Sequence, residues 1–240
     1  MIIFVTACSQ NHSKSMIQFL NSLHNNSGQI FKCYVYDLGD LSNEYKEKLI
    51  KNFPNIILKI FDYSKYPSYF NIQINAGEYA WKPNIINEVL EELNINTEED
   101  NYLFWCDAGD KINYDINTLL NIIKNNKIYS PSSSGNVSTW TYYKVLEYFD
   151  IQNNREILNF QNKNAAVIGF YINSDEVREL IKNFAKYAKI KEAICPEGSS
   201  RLNHRQDQAL FTILYYFFIK KYNYNHDNSV YSITYHNDCD

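Results

Sequence analysis

The stretch Ile2-Ile3-Phe4-Val5-Thr6-Ala7 indicates the fold class, because it is a short run of apolar and β-branched residues that stops at a polar loop. Such a run is typical of a parallel strand that is buried on both faces of a sheet. Residues 13–23 follow with apolar side chains at helical spacing, and residues 31–36 form a second strand-like run. The chain therefore opens with the β-α-β order of a parallel sheet.

This alternation continues beyond the opening unit. The sequence predicts a helix over 43–52, a strand over 56–61, a helix over 85–93 and a strand over 102–106. We therefore expect a parallel-rich α/β sheet that is covered by helices. No linker or internal repeat divides the sequence, so 1–240 is interpreted as a single domain.

The predicted elements beyond residue 110 include both strands and helices. They are a helix over 116–123, a polar loop over 130–138, a strand over 167–172, helices over 176–187 and 208–218, and a last short strand over 230–235. The polar loop is rich in serine, glycine and asparagine, and loops of this length are often functional.

Composition and charge exclude several classes of protein. With 240 residues, 45% of them hydrophobic and 21% charged, the chain can bury a full core, which excludes a disordered tail and a disulfide-dense miniprotein. The net charge of -4 gives no electrostatic reason to expect a nucleic-acid partner. The five cysteines are scattered without a C-x-x-C pair, so neither a zinc site nor a disulfide framework is indicated.

The sequence also favours a cytoplasmic location. No apolar run approaches the roughly 20 residues that cross a bilayer, and residues 1–8 lack the basic lead of a signal peptide. We therefore expect a soluble, cytoplasmic protein without a membrane span of its own.

Two acids directly follow the predicted strand 102–106, in Asp107-Ala108-Gly109-Asp110. Ligands of an open α/β sheet bind beyond the carboxyl ends of its strands, so these carboxylates stand where a site is expected. Clustered carboxylates suit Mg²⁺ or Mn²⁺, which take oxygen ligands and bridge to a diphosphate. His236, just past the last predicted strand, is a candidate third ligand. The alternative is an ordinary exposed turn, since Asp and Gly are also turn residues.

Two further segments carry candidate residues. In Tyr79-Ala80-Trp81-Lys82-Pro83, Lys82 either faces a phosphate at a helix start or is solvated. In the second interpretation, Trp81 is a packing anchor. In His204-Arg205-Gln206-Asp207-Gln208, Asp207 is either a helix cap or a group that holds sugar hydroxyls. The chain has no G-x-G-x-x-G pattern and no Walker lysine, which excludes the dinucleotide and P-loop classes.

Six segments carry a pattern when they are taken in order over roughly residues 1 to 215. They read Val35-Tyr36-Asp37-Leu38-Gly39, Tyr79-Ala80-Trp81-Lys82-Pro83-Asn84-Ile85-Ile86, Phe104-Trp105-Cys106-Asp107-Ala108-Gly109, Ser138-Thr139-Trp140-Thr141, residues 165–170, and His204-Arg205-Gln206-Asp207-Gln208. The set resembles nucleotide-sugar-dependent glycosyltransferases of the GT-A fold, and most closely a group of uncharacterised glycosyltransferase-like domains known chiefly from nematodes. The resemblance implies a GT-A-like α/β fold of Rossmann type, with a mixed, mostly parallel sheet and helices on both faces. It also implies that 1–240 is one domain with a nucleotide-binding half, 1–110, and an acceptor-binding half, 111–240.

The resemblance also implies roles for individual residues. Those implied to bind the nucleotide sugar are Thr6, Ala7, Asp37, Tyr79, Trp81, Lys82 and Asp107. Those implied to bind the acceptor are Trp140, Gly169 and His204. Asp207 and Gln208 match an Asp-Gln pair that lies beside the donor sugar and the acceptor, which makes them the implied catalytic residues.

The implied metal site departs from the family pattern at one position. Asp107 stands at the first acid of the family's Asp-x-Asp, but the second acid falls at Gly109. The resemblance therefore implies a Mn²⁺ or Mg²⁺ ion held by Asp107 together with Asp110 or His236. That cation would neutralise the diphosphate as it leaves the sugar.

The implied function is transfer of a hexosyl or N-acetylhexosaminyl group from a nucleotide-diphosphate sugar, with UDP favoured, to a glycan, protein or lipid-linked acceptor. An inverting reaction would use Asp207 as base, and a retaining reaction would use the leaving diphosphate. One alternative is a metal-independent enzyme that neutralises phosphates with Lys82 and Arg201 or Arg205. The others are a non-catalytic nucleotide-sugar- or carbohydrate-binding module and a metal-dependent phosphatase or nucleotidyltransferase.

Overall fold

The computed structural model describes residues 1–27, 31–113, 115–224 and 234–239. Its strands are β1 (Ile2–Cys8), β2 (Phe31–Asp37), β3 (Ile56–Ile60), β4 (Tyr102–Cys106), β5 (Asp110–Ile112), β6 (Ile128–Tyr129), β7 (Ser132–Asn136), β8 (Gln161–Lys163), β9 (Val167–Tyr171) and β10 (Thr234–His236). Its α-helices are α1 (Ser13–Asn26), α2 (Asn43–Asn52), α3 (Trp81–Glu92), α4 (Asn117–Asn126), α5 (Val137–Trp140), α6 (Tyr143–Tyr148), α7 (Arg155–Leu158), α8 (Asp175–Ala188), α9 (Lys191–Ile194) and α10 (Gln206–Tyr222). Short 3-10 segments lie at Gln10–His12, Tyr63–Lys65, Ser68–Phe70 and Asn75–Tyr79.

The central sheet has the strand order β3-β2-β1-β4-β9-β6. The first four of these strands are mutually parallel, whereas β9 runs antiparallel to both β4 and β6. The expected mixed, mostly parallel sheet is therefore confirmed. Because β1 lies between β2 and β4, its seven residues are all buried, which is why they are apolar on both faces.

Alternating side chains of β1 enter two different cores, because successive residues of a strand point to opposite faces. Ile3 and Val5 belong to the core that contains apolar residues of α3, α8 and α10. Ile2 and Phe4 belong to the core that contains residues of α1, α2 and α4. Helices therefore cover both faces of the sheet, as expected.

Gly169 in β9 lies opposite Phe104 in β4, where the sheet packs on α4. A Cβ atom at this position would lie 2.8 Å from Cδ1 of Ile123 and 2.9 Å from Cε1 of Phe104. The absent side chain thus lets α4 approach the sheet closely. Gly169 does not line the large cleft described below.

Two helix starts and one strand differ from the sequence-based prediction for identifiable physical reasons. Helix α3 begins at Trp81 instead of residue 85, because Pro83 is tolerated in the first turn, where the backbone N–H needs no partner. Helix α10 begins at Gln206 instead of residue 208, and nearly all of its sides are buried, so its apolar pattern has no clear boundary. The predicted loop 130–138 contains β7, whose Ser-Ser-Ser-Gly-Asn sequence has no strand signal and is held by pairing with β8.

The last predicted strand is found at β10, which pairs antiparallel with β5. Residues 230–233 of that prediction lie outside the described residues. Within the described part of the chain, none of the helices combines the length and the apolar character needed to cross a membrane.

Candidate functional site

A cleft of about 960 Å³ opens at the carboxyl ends of β1, β2 and β4. Ala7 and Cys8 at the end of β1, Leu38 after β2 and Asp107 after β4 all line it. This is the position at which open α/β sheets bind their ligands, because the strand ends leave a crevice between the connecting loops.

Other parts of the chain form the remaining walls of this cleft. Their lining side chains are Asp40, Gln73, Tyr79, Trp81, Lys82, Ser133, Trp140, Asn164, Arg201, Arg205, Gln206, Asp207, Gln208, His236 and Asp238, among others. The fold thus brings together eleven residues singled out in the sequence, which are Ala7, Tyr79, Trp81, Lys82, Asp107, Trp140, Arg201, Arg205, Asp207, Gln208 and His236.

Lys82 lies at the floor of the cleft and is the centre of its charge network. It is only 3% exposed, and its Nζ is 2.9 Å from Oδ1 of Asp107 and 2.8 Å from Oδ2 of Asp207. Burial alone would lower the pKa of Lys82, but the two carboxylates outweigh it and raise the pKa. The lysine is therefore a buried cation between two acids, and the expectation of a solvated Lys82 is wrong.

Asp107 carries the part of this network that faces the cleft. Its side chain is 35% exposed, and its Oδ1 accepts a 2.7 Å hydrogen bond from the indole Nε1 of Trp105. Trp105 is completely buried and its ring lies 6.0 Å from that of Trp81. Two packed indoles and one ammonium group therefore fix the orientation of the carboxylate.

Asp207 occupies the first turn of α10, where the helix dipole favours an acid. Its side chain is 9% exposed. Burial raises the pKa of Asp207, and the nearby Lys82 ammonium opposes that shift. A shielded carboxylate with a raised pKa suits proton transfer.

The 3-10 segment Asn75–Tyr79 is a left-handed turn in which five successive residues have φ between 46° and 64°. Four of these residues are not glycine, and left-handed geometry costs about 1–2 kcal/mol for each L residue. Trp81 Nε1 donates a 3.0 Å hydrogen bond to the Ala76 carbonyl, and Gln206 Nε2 donates one of 3.1 Å to Glu78. Since Ala76 and Tyr79 line the cleft, the strained turn shapes one of its walls.

Gly77→Ala is expected to destabilise the protein by at least about 2 kcal/mol. The added Cβ would overlap the backbone carbonyl oxygen of Phe70 and lie 2.8 Å from Cδ1 of Trp81. Urea unfolding of both proteins measures the difference. Gly39→Ala is the matched control, since Gly39 also has positive φ but an added Cβ would lie 3.8 Å from its nearest neighbour, Cε2 of Tyr63. Equal losses of unfolding free energy in the two variants would show that the clash at Gly77 is not the cause.

Asp37 and Thr6 do not line the cleft. Asp37 is buried, its Oδ2 lies 2.6 Å from Lys46 Nζ, and its Oδ1 accepts backbone N–H groups of Gly39 and Leu41 at 2.7 and 3.2 Å. The carboxylate thus shapes the loop after β2. Thr6 is fully buried in the sheet.

His204 also lies outside the cleft lining. It is fully buried, its Nε2 is 2.8 Å from the Ile194 carbonyl, and its Nδ1 accepts the Tyr142 backbone N–H at 3.3 Å. Both ring nitrogens are therefore engaged by the backbone, and this histidine holds the loop before α10 in place. Burial lowers its pKa to about 4.

This pKa predicts a contribution of His204 to acid lability. The unfolded chain takes up a proton at His204 below pH 6.5, whereas the folded protein does so only near pH 4. The stabilisation is therefore complete above pH 6.5 and falls by up to about 3 kcal/mol as the pH drops towards 4. We expect the difference in unfolding free energy between wild type and His204→Gln to shrink over this range; a difference independent of pH would contradict the assignment.

The predicted metal ligands lie near one another without converging. His236 Nδ1 is 3.6 Å from Asp110 Oδ1, and His236 Nε2 is 3.6 Å from Asp238 Oδ2. Asp110 is buried and accepts a hydrogen bond from Thr234 at 2.9 Å, and it does not line the cleft. The described residues contain no group of three or more His, Cys, Asp or Glu side chains arranged to hold a metal ion. The Mn²⁺ or Mg²⁺ site stays a prediction.

Asp238 is a cleft residue that the sequence reasoning missed. The carboxylate occupies the space beside Gly109, where a Cβ atom would lie 3.0 Å from Asp238 Oδ1 and 2.9 Å from His236 Cε1. The pairing of β10 with β5 brings these residues together, and Ser15 Oγ donates a 2.7 Å hydrogen bond to Asp238 Oδ1. Asp40 was also missed, although its position just after β2 was a usable signal.

Comparison with protein families gives one match to part of the chain. Residues 1–87 match the profile of DUF1647, which is described as a protein of unknown function. No curated protein matches the sequence. The resemblance to the nematode group stays a prediction.

Several solved structures with a similar fold are glycosyltransferases. The galactosyltransferase LgtC in complex with donor and acceptor sugar analogs superposes with a TM-score of 0.56 at 12% identity, over 89% of this chain and 70% of LgtC. Mouse xyloside xylosyltransferase 1 gives 0.51 at 10% identity, over 89% and 81%. The bifunctional glycosyltransferase WbbM gives 0.50 at 14% identity over 89% of this chain, which spans only 37% of WbbM. The chain therefore has the GT-A fold.

Proposed function

We propose that this chain transfers a hexosyl or N-acetylhexosaminyl group from a nucleotide-diphosphate sugar, with UDP favoured, to a glycan, protein or lipid-linked acceptor. The observation that carries the proposal is the Asp107–Lys82–Asp207 network at the floor of the cleft. A buried cation held between two acids in a ligand-sized crevice is costly to maintain without a function at that point.

The size and lining of the cleft support two substrates. Its volume of about 960 Å³ lies at the upper end of the range of about 300–1,000 Å³ for small-molecule sites. Ala7, Cys8 and Leu38 offer an apolar surface at the strand ends, where a nucleoside would bind. Trp140 and Gln208 lie in the opposite half of the chain and offer an aromatic face and an amide, which suit a sugar.

The charge network also suggests how transfer would proceed. The transition state of glycosyl transfer is oxocarbenium-like, and a floor with two acids and one ammonium carries a net negative charge that stabilises it. If the reaction inverts the anomeric centre, Asp207 takes the proton from the acceptor hydroxyl. If the reaction retains it, the leaving diphosphate takes that proton.

Binding of a divalent cation, Mn²⁺ or Mg²⁺, is also proposed and is tested below. The transfer steps described above do not depend on it. When bound, such an ion would supply positive charge for the leaving diphosphate. Asp107 and His236 are the lining residues that would approach it, and Asp107 is already engaged by Lys82 and Trp105.

A non-catalytic nucleotide-sugar- or carbohydrate-binding module is the second candidate. It is favoured by the glycine at position 109, where related transferases place an acid, and by the lack of converging metal ligands among the described side chains. Such a module would bind a nucleotide sugar without turning it over.

A thermal-shift panel of nucleoside diphosphates and nucleotide sugars, each with and without Mn²⁺, tests the proposal. A ligand at 100 times its Kd stabilises the native state by about 2.7 kcal/mol, which raises Tm by several degrees. We expect the panel to show a preference for one base. We also expect an assay of free nucleoside diphosphate to detect its release from the matching nucleotide sugar. Binding without release would favour the non-catalytic nucleotide-sugar-binding module. A flat panel would overturn both the transferase and that module.

A further inference from the structure

Two of the four arginines in the chain line the same cleft. Arg201 and Arg205 come from the connection between α9 and α10, and both line the cleft. The Cζ atom of Arg201 is 5.6 Å from the centroid of the Tyr79 ring, and that of Arg205 is 4.1 Å from the centroid of the Trp140 ring.

Neither guanidinium group has a carboxylate partner among the described residues, since no side-chain hydrogen bond or ion pair of Arg201 or Arg205 is found there. Stacking on an aromatic ring holds the plane of a guanidinium and leaves the N–H groups at its edge available. Each arginine therefore presents a fork of donors whose geometry matches a carboxylate or a phosphate.

The segment that carries the two arginines is held firmly. The Arg205 backbone N–H donates a 3.0 Å hydrogen bond to the Trp140 carbonyl, and the His204 backbone N–H donates one of 2.8 Å to Ser200. The buried His204 ring adds two further backbone contacts. The first turn of α10 begins directly after Arg205, and its dipole also favours an anion.

The position of the arginines points to the acceptor and not to the donor phosphates. The strand-end side of the cleft carries the carboxylates Asp40, Asp107 and Asp238. Arg205 instead lies over Trp140 and three residues before Gln208 in the sequence. Arg201 lies over Tyr79 and comes from the same connection, in the half of the chain opposite the one that carries the nucleoside surface. A cleft in a chain with a net charge of -4 thus has one wall with unpaired positive charge.

On the basis of the proposed function, we propose that Arg201 and Arg205 bind an anionic group of the acceptor, so that the preferred acceptor is an acidic glycan. The group is a carboxylate or a phosphate on the sugar that approaches Trp140. The two guanidinium groups select this acceptor because a neutral sugar leaves their charge uncompensated.

Binding of the labelled full chain to immobilised glycan pairs tests this assignment. The members of one pair differ only in a uronate carboxylate against a hydroxymethyl group, and those of the other only in a 6-phosphate against a free hydroxyl. We expect at least about ten-fold tighter binding of the acidic member of one pair, decreasing with ionic strength. The pair that shows the preference identifies the anion.

Arg201→Gln and Arg205→Gln are each expected to reduce binding of the acidic glycan about ten-fold and to leave binding of the neutral member unchanged. Arg155→Gln is the matched control, because Arg155 is exposed on α7 and does not line the cleft. Arg205→Lys is a second variant, which keeps the charge and loses the fork, and it should retain part of the preference. Melting temperatures of all variants should equal that of the wild type, since none of the side chains is paired with a carboxylate.

Three results would overturn the assignment. The first is equal binding of acidic and neutral glycans, and the second is no glycan binding at all. The third is a loss of UDP binding in the arginine variants as large as the loss of glycan binding, which would mean that both arginines bind the donor. Failure of the proposed function is distinguishable, because it would remove the nucleotide-induced thermal shift of the wild type and leave the preference for acidic glycans intact.

Discussion

Replacing Asp107 by asparagine is expected to abolish measurable sugar transfer, which corresponds to a loss of about 1,000-fold or more. Asp107 is the more exposed of the two acids in the charge network at the cleft floor. The substitution removes its charge and leaves Asp207 as the one acid of the network beside Lys82. The cleft floor then carries no net negative charge, so it no longer stabilises the positive charge that develops on the sugar in the transition state.

The same substitution should leave the fold intact. An asparagine Oδ1 can still accept the hydrogen bond that Trp105 Nε1 now donates at 2.7 Å, so we expect Tm to change by no more than a few degrees. Asp175→Asn is the control, because Asp175 is exposed on α8 away from the cleft. Full activity of Asp107→Asn with an unchanged Tm would remove Asp107 from the mechanism.

Lys82→Met is expected to lower the unfolding free energy at pH 7.5 by about 3–5 kcal/mol, the cost of breaking a buried ion pair from one side. Methionine replaces most of the lysine stem, so the loss arises from charge and not from a cavity. The carboxylate of Asp207, whose side chain is 9% exposed, would remain without the cation that now offsets its burial. Urea unfolding followed by tryptophan fluorescence measures the effect.

The pH dependence of this variant distinguishes a charge effect from a packing effect. Without Lys82, the pKa of Asp207 rises further, because burial is then unopposed. A carboxyl group whose pKa is higher in the folded protein gains stability as the pH falls, so the deficit should shrink between pH 7.5 and 5. The double variant Lys82→Met/Asp207→Asn should recover part of the stability at pH 7.5. A deficit that is the same at both pH values and is not rescued would contradict the ion-pair account.

The sequence predicted elements best where local signals and packing agree. Helix α2 has the predicted bounds, because Ser42 caps it by accepting the Tyr45 N–H at 3.2 Å and an apolar residue faces the core. Strand β4 has the predicted bounds because it is an uninterrupted buried run. Strand β7 was missed, since its conformation depends on β8, about 25 residues later in the sequence, and not on its own residues.

The candidate site was predictable only in the part that sheet topology determines. Residues that directly follow a strand could be placed at the cleft from topology alone, as Asp107 shows. The burial of Lys82 could not, because it depends on Asp207, which lies more than 100 residues away in the sequence and arrives with α10. His204 and Asp37 belong to the matched segments, but the structure engages both with nearby backbone groups.

At the left-handed turn of residues 75–79, changes that increase the stability of the fold are expected to weaken ligand binding in the cleft. Most single changes that relax this turn would return residues to the right-handed region and release folding free energy, and the same changes would withdraw Ala76 and Tyr79 from the cleft wall. Selection for a more heat-resistant protein without selection for binding would therefore be expected to accept substitutions here first. A stabilised variant that has lost its ligand should carry its mutations in this segment or in its supports, Trp81 and Gln206.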